Sequence, residues 1–162
     1  MTRTKQMLFL AMVGYATAGC LLQAKEQDYS TASYAALTKV FLRNKSAILE
    51  LRADLHDCYV ERTHDPKELD LFLAKLCARL KIADPGDTRF VVCDGSLMGG
   101  SRGTIFMHIC DDWYIVGRVI NETNTVLLTI SSCTHYNTQE IADFARKFFG
   151  ATAMDVKIAI RK

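Results

Sequence analysis

Apolar and polar positions alternate most regularly between residues 47 and 55. Ala47, Leu49, Leu51, Ala53 and Leu55 stand against Ile48, Glu50, Arg52 and Asp54, the period of a strand with one buried face, and His56-Asp57-Cys58 closes it. The period then changes. Leu69, Phe72, Leu73, Leu76, Cys77 and Leu80 recur at helical spacing behind Asp65-Pro66. Asp65 suits the cap, Pro66 the first turn, and Glu68 stands where a capping box would close. Arg89–Asp94 reads as a short strand.

The stretch from Ile105 to Cys133 carries the densest β pattern and organises the rest. Ile105–Cys110 and Tyr114–Ile120 are apolar and β-branched around Asp111-Asp112. Asn121-Glu122-Thr123-Asn124 makes a turn, and Val126–Ile130 is the next strand. Asn137, with Glu140 three residues on, starts a second helix whose inner face is Ile141, Phe144, Ala145 and Phe148, and Gly150 ends it. Met154, Val156, Ile158 and Ile160 point inward from a last strand. The order β-α-β-β-β-β-α-β predicts an α+β two-layer sandwich, a mostly antiparallel sheet with two helices on one face.

Ahead of this domain, which spans residues 46–162, lie two segments of different character. Residues 1–23 have a basic start at Arg3 and Lys5, an uncharged apolar run from Met7 to Leu22, and a cleavage-like Ala16-Thr17-Ala18. The run is short for a membrane crossing, which takes about 20 residues. A signal peptide, an anchor making membrane contact through residues 7–22, and a packing helix all fit it. Residues 24–45 are polar and then weakly helical, with Tyr34, Leu37 and Phe41 at helical spacing, and read as a connecting helix.

Composition narrows the function classes. A net charge of +2 without a basic stripe gives no case for nucleic acid. The six cysteines, at 20, 58, 77, 93, 110 and 133, form no compact metal-ligand spacing and read as free thiols. His56, Cys58, Cys133 and His135 are ligand types near strand ends, but their separations are long and no metal is expected. The glycine-rich run from Gly95 to Gly103 lacks the Gly-Lys-Ser/Thr ending of a phosphate loop and reads as a hairpin connection.

From about Ala47 to Lys162 the chain resembles the small prokaryotic, pyruvoyl type of S-adenosylmethionine decarboxylase. Asp54-Leu55-His56-Asp57-Cys58 is similar to the strand-ending D-L-Y-G-C of that family, and Ile130-Ser131-Ser132-Cys133-Thr134 to its F-T-C-G strand. Thr138–Phe149 and Asp155–Lys162 resemble its closing helix and V-x-V-K strand. The resemblance implies polyamine (spermidine) biosynthesis, a lyase activity, and a serine that becomes a pyruvoyl group after self-cleavage and acts as the electron sink.

Counted back from Cys133 against the family's S-E-S-H-I-S-I-H-T-W-P-E, Asp112 falls at the glutamate and Trp113 at the cleaved serine. Tyr114 and Arg118 fall at the two histidines that follow, and Glu122 at the last glutamate. Tryptophan cannot form a pyruvoyl group, and no hydroxyl or thiol on a β-carbon occurs between Asp111 and Val119. The resemblance therefore implies Cys133 as the catalytic proton donor, and Glu122, Arg118, Asp112 and Trp113 as the ligand-binding set, with no cofactor and no metal. Arg118 in place of a histidine favours carboxylate ligands.

The expectation is a divergent, degenerate homologue that binds S-adenosylmethionine or a related small molecule, as a homodimer or with a related subunit. Two alternatives stand beside it. One is an active decarboxylase with an unrecognised processing site, and Ser96, Ser101, Ser131 and Ser132 are the serines nearest the region. The other is an exported or membrane-tethered domain of unrelated role. The resemblance implies the cytoplasm, and residues 1–23 imply export or anchoring.

Overall fold

A computed structural model describes residues 27–44, 47–83, 86–94, 100–110 and 112–161. The apolar leader expected over residues 1–23 lies outside them, as does most of the glycine-rich run. The elements are β1 (Gln27–Asp28), α1 (Tyr34–Leu42), β2 (Ile48–His56), α2 (Val60–Thr63), α3 (Pro66–Leu80), β3 (Asp87–Asp94), β4 (Arg102–Cys110), β5 (Trp113–Ile120), β6 (Thr125–Ser132), α4 (Thr138–Phe149) and β7 (Ala153–Arg161). A short 3-10 turn, Asn121–Thr123, joins β5 to β6. Among the described residues no helix is long and apolar enough to cross a membrane.

The strands form one seven-stranded sheet in the order β1-β7-β2-β6-β5-β4-β3, with every neighbouring pair antiparallel. The α+β sandwich expected from the period changes is the architecture found. Register runs straight across the middle. Leu51 faces Ile158 on one side and Ile130 on the other, Ile130 faces Ile115, and Ile115 faces His108. Because side chains alternate, these residues share one face of the sheet. Leu49, Leu51, Ala53, Leu55, Ile115, Leu128 and Ile130 there are essentially inaccessible to water. Helices α1, α3 and α4 bury Leu37 and Phe41, then Leu69, Phe72, Leu73 and Leu76, then Ile141, Ala142, Ala145 and Phe149 in the same core. Phe72 of α3 lies at its centre, ringed by Phe106, Phe144, Phe148 and Phe149 at centroid distances of 4.6 to 5.9 Å.

Local chemistry sets the helix limits. The Asp65 carboxylate accepts from the Lys67 N–H at 2.9 Å, and Pro66 takes the first position. The capping box does not close as the spacing predicts, because the Glu68 carboxylate turns to Arg62 instead. Helix α3 ends at Lys81 in the left-handed conformation. Asn137 caps α4 by accepting from the Glu140 N–H at 3.2 Å, and Gly150, at φ 65°, ends it. The segment expected as a bare connecting helix does more than connect. Ser33 caps α1, Leu37 and Phe41 are buried, and β1 adds an edge strand to β7. β3 and β4 pair antiparallel from Asp87 opposite Ile109 to Asp94 opposite Arg102.

Candidate functional site

The face of the sheet away from the helices carries Ile48, Glu50, Arg52 and Asp54 of β2, Thr129 and Ser131 of β6, Tyr114, Val116 and Arg118 of β5, and Ile105, Met107 and Ile109 of β4. Val91 of β3, opposite Ile105, joins this face, and four of its large apolar side chains, Ile48, Val91, Ile109 and Tyr114, are exposed. Beside them sits a buried carboxylate. Glu50 is only 4% accessible, and it accepts from Arg161 at 3.0 Å and from the Ser131 hydroxyl at 3.2 Å, with Arg52 also paired to it. Charge-assisted bonds of this kind offset the desolvation of a buried carboxylate.

The five candidate residues fall into two groups. Asp112, Trp113 and Cys133 meet at one end of the sheet. The Cys133 N–H donates to the Asp112 carbonyl at 3.2 Å, and Trp113 pairs with both Cys110 and Ser132 across its neighbouring strands. With Ile48, Ile109, Tyr114 and Ser131 they line a shallow depression of about 200 Å³. Its floor is rigid. The Trp113 indole is buried against the Tyr136 ring at 5.2 Å, and the Tyr136 hydroxyl donates to the Ile130 carbonyl at 2.9 Å. Burial pushes the Tyr136 phenol far above its usual range, so it stays a donor. Cys133 is exposed beside this floor.

Arg118 and Glu122 lie at the other end. Five residues along β5 separate Arg118 from Trp113, roughly 17 Å at strand rise, and the two side chains point to opposite faces of the sheet. Glu122 accepts from the Arg102 N–H at 2.7 Å. That bond, then the Glu122 N–H, hold its carboxyl below the usual range, with the charges of Arg102 and Arg118 adding to the effect. Within one chain the set is therefore a Cys133–Asp112–Trp113 cluster and a separate Arg118–Glu122 pair.

His56, Cys58, Cys133 and His135 do not converge. His56 ends β2 opposite Ala153, whereas Cys133 follows Ser132, which pairs with Leu49 at the start of β2. His135 instead contacts Thr38 Oγ1 at 3.2 Å and packs against Tyr34 and Phe41. Among the described residues no three metal-ligating side chains come together. Two groups escaped the sequence reading. Glu50 sits in an ordinary apolar/polar alternation, and its partner Arg161 is 111 positions away, so no local pattern marks it. Tyr136 lies between β6 and α4, where only the tertiary packing makes it a wall.

No family model matches the sequence, and no curated protein matches it. A solved structure of the adenosylmethionine decarboxylase from Aquifex aeolicus superposes with a TM-score of 0.58, over 71% of this chain and 90% of that chain, at 11% sequence identity. At that identity the likeness is one of architecture. The chain has an S-adenosylmethionine decarboxylase-like fold, an antiparallel sheet with helices packed on it.

Proposed function

We propose that this chain is a ligand-binding homologue on the decarboxylase scaffold that does not convert one of its own residues into a pyruvoyl group. The observation that carries the reading is Trp113. It occupies the place where the resemblance puts the cleaved serine, and it is the first residue of β5, buried and paired with a neighbouring strand on both sides. A residue so placed serves as a wall. Tyr114, about half exposed at the depression, offers a ring for stacking an aromatic base or a cation, and Asp112 and the Cys133 thiol supply polar contacts.

S-adenosylmethionine, an aromatic base joined to a sulfonium cation, is the first ligand for this surface. The depression of about 200 Å³ is smaller than the roughly 300–1,000 Å³ of usual small-molecule sites. A second copy laid on the open face over Ile48, Ile109 and Tyr114 would deepen it and cover the exposed apolar side chains. The reading therefore includes a homodimer.

The test combines intact mass with titration. Trp113 is the sole tryptophan, so its fluorescence reports on the depression directly. The expected result is a chain uncut within residues 27–161, and a saturable fluorescence change with S-adenosylmethionine that Tyr114→Ala weakens. Two fragments divided inside the domain would instead establish self-processing and an active enzyme. An uncut chain with no response to S-adenosylmethionine would remove this ligand.

A further inference from the structure

Among the charged side chains of the open face, Arg52 is held at one end and open at the other. Its Nε pairs with Glu50 Oε1, the same oxygen that Arg161 Nη2 reaches at 3.0 Å, while Glu50 Oε2 accepts from the Ser131 hydroxyl at 3.2 Å. One buried carboxylate thus anchors two guanidinium groups and leaves a positive charge in excess. Lys157, the cross-strand neighbour of Arg52 on β7, adds to it. The terminal nitrogens of Arg52 have no partner among the described residues, and its side chain is 42% accessible. Asp54, the next residue along this face, makes no ion pair with it, and Asp155 contacts His56 at 3.1 Å instead. A guanidinium fixed through Nε offers its terminal N–H groups, already oriented, to a second carboxylate.

Register ties this group to the depression. Tyr114, Ser131 and Glu50 face one another across β5, β6 and β2, and both Tyr114 and Ser131 line the depression. At strand spacing Tyr114 and Glu50 are roughly 10 Å apart, and the Arg52 guanidinium rests on the Glu50 carboxylate. A ligand whose base stacks on Tyr114 and whose chain crosses Ser131 therefore ends at Arg52. Arg118, where the sequence placed the preference for carboxylates, stands at the other end of the sheet with Glu122.

We propose that Arg52 recognises the α-carboxylate of the ligand in the Trp113 depression, its terminal N–H groups donating to the amino-acid end of S-adenosylmethionine. Arg52 is then the residue that selects an amino-acid conjugate over a nucleoside lacking the carboxylate. This inference rests on the proposed function.

The test is a titration of the full-length protein, read on Trp113 fluorescence, with S-adenosylmethionine and with its decarboxylated form, which keeps the base, the sulfonium and the ammonium. The expected result is tighter binding of S-adenosylmethionine by about tenfold or more. Arg52→Gln should remove that preference and leave the affinity for the decarboxylated compound within about twofold of the parent's. Arg52→Lys, which keeps the charge but loses the fork, should restore part of the preference. Glu50 retains Arg161 and Ser131 in both variants. Equal affinity of the parent for the two compounds would overturn the assignment and leave the proposed ligand standing. A preference that survives in Arg52→Gln would do the same, and loss of the dimer alongside it would give Arg52 to the subunit contact. No response to either compound would remove the ligand and this assignment together.

Discussion

Gly117 lies in the middle of β5, directly across from Phe106 of β4, and the Phe106 ring stands end-on over it. A β-carbon at position 117 would lie 1.9 Å from the ring Cζ and 2.4 Å from both Cε atoms. Restoring ordinary contact requires the ring to retreat by about 1.5 Å. It has nowhere to go, because Phe106 is fully buried and meets Phe72, also fully buried, edge-to-face at 5.9 Å. Gly117→Ala is thus an overpacking substitution in a closed aromatic cluster, and the expected cost is about 3 kcal/mol. For a urea slope of about 2 kcal/mol/M this lowers the denaturation midpoint by about 1.5 M. Phe106→Leu alone should cost about 1.5 kcal/mol through the lost ring. In the double variant the smaller side chain makes room for the methyl group, so the combined loss should fall short of the sum by about 1 kcal/mol or more. The assay is equilibrium urea denaturation of the four proteins. A Gly117→Ala protein within about 0.5 kcal/mol of the parent, or strict additivity in the double variant, would refute this packing argument.

Three further outcomes follow from buried polar groups. Burial pushes the Cys58 thiol up to about 11, so the unfolded chain releases that proton first as pH rises past the ordinary thiol range. The stability Cys58 contributes is full below about pH 9 and declines by about 2 kcal/mol by pH 11; the urea-stability gap between the parent and Cys58→Ala should narrow accordingly, and a gap constant from pH 8 to 11 would contradict it. Tyr136→Phe removes the hydroxyl that donates to the Ile130 carbonyl and should cost about 1 kcal/mol, with a shift in Trp113 emission; an unchanged spectrum would disprove that the two rings share one rigid wall. Glu50→Ala should cost about 2 kcal/mol, a figure reduced because Arg52 and Arg161 are partly exposed, and a loss that vanishes in 1 M salt would show Glu50 to be a screened surface charge.

The strands and the two long helices were legible in the sequence because each is set by a local rule. Alternation at residues 47–55 and 154–160 marks strands buried on one face, and Asp65-Pro66 and Asn137 with Gly150 mark helix limits that backbone chemistry then enforces. The short edge strand β1 and the four-residue α2 were not legible, since neither carries enough residues to show a period. The candidate site was legible only in pieces. Counting along the chain gave Asp112, Trp113, Arg118, Glu122 and Cys133 as one set, but a strand places residues five apart on opposite faces and roughly 17 Å apart.

Sequence alone therefore determined the longer strands and the two long helices, their order and which face of each is apolar, because those depend on neighbours within a few residues. Only the tertiary structure decided that Glu50 finds Arg161 and that Tyr136 backs Trp113. These pairings join residues brought together by sheet register and helix docking, and register is fixed by the whole core at once.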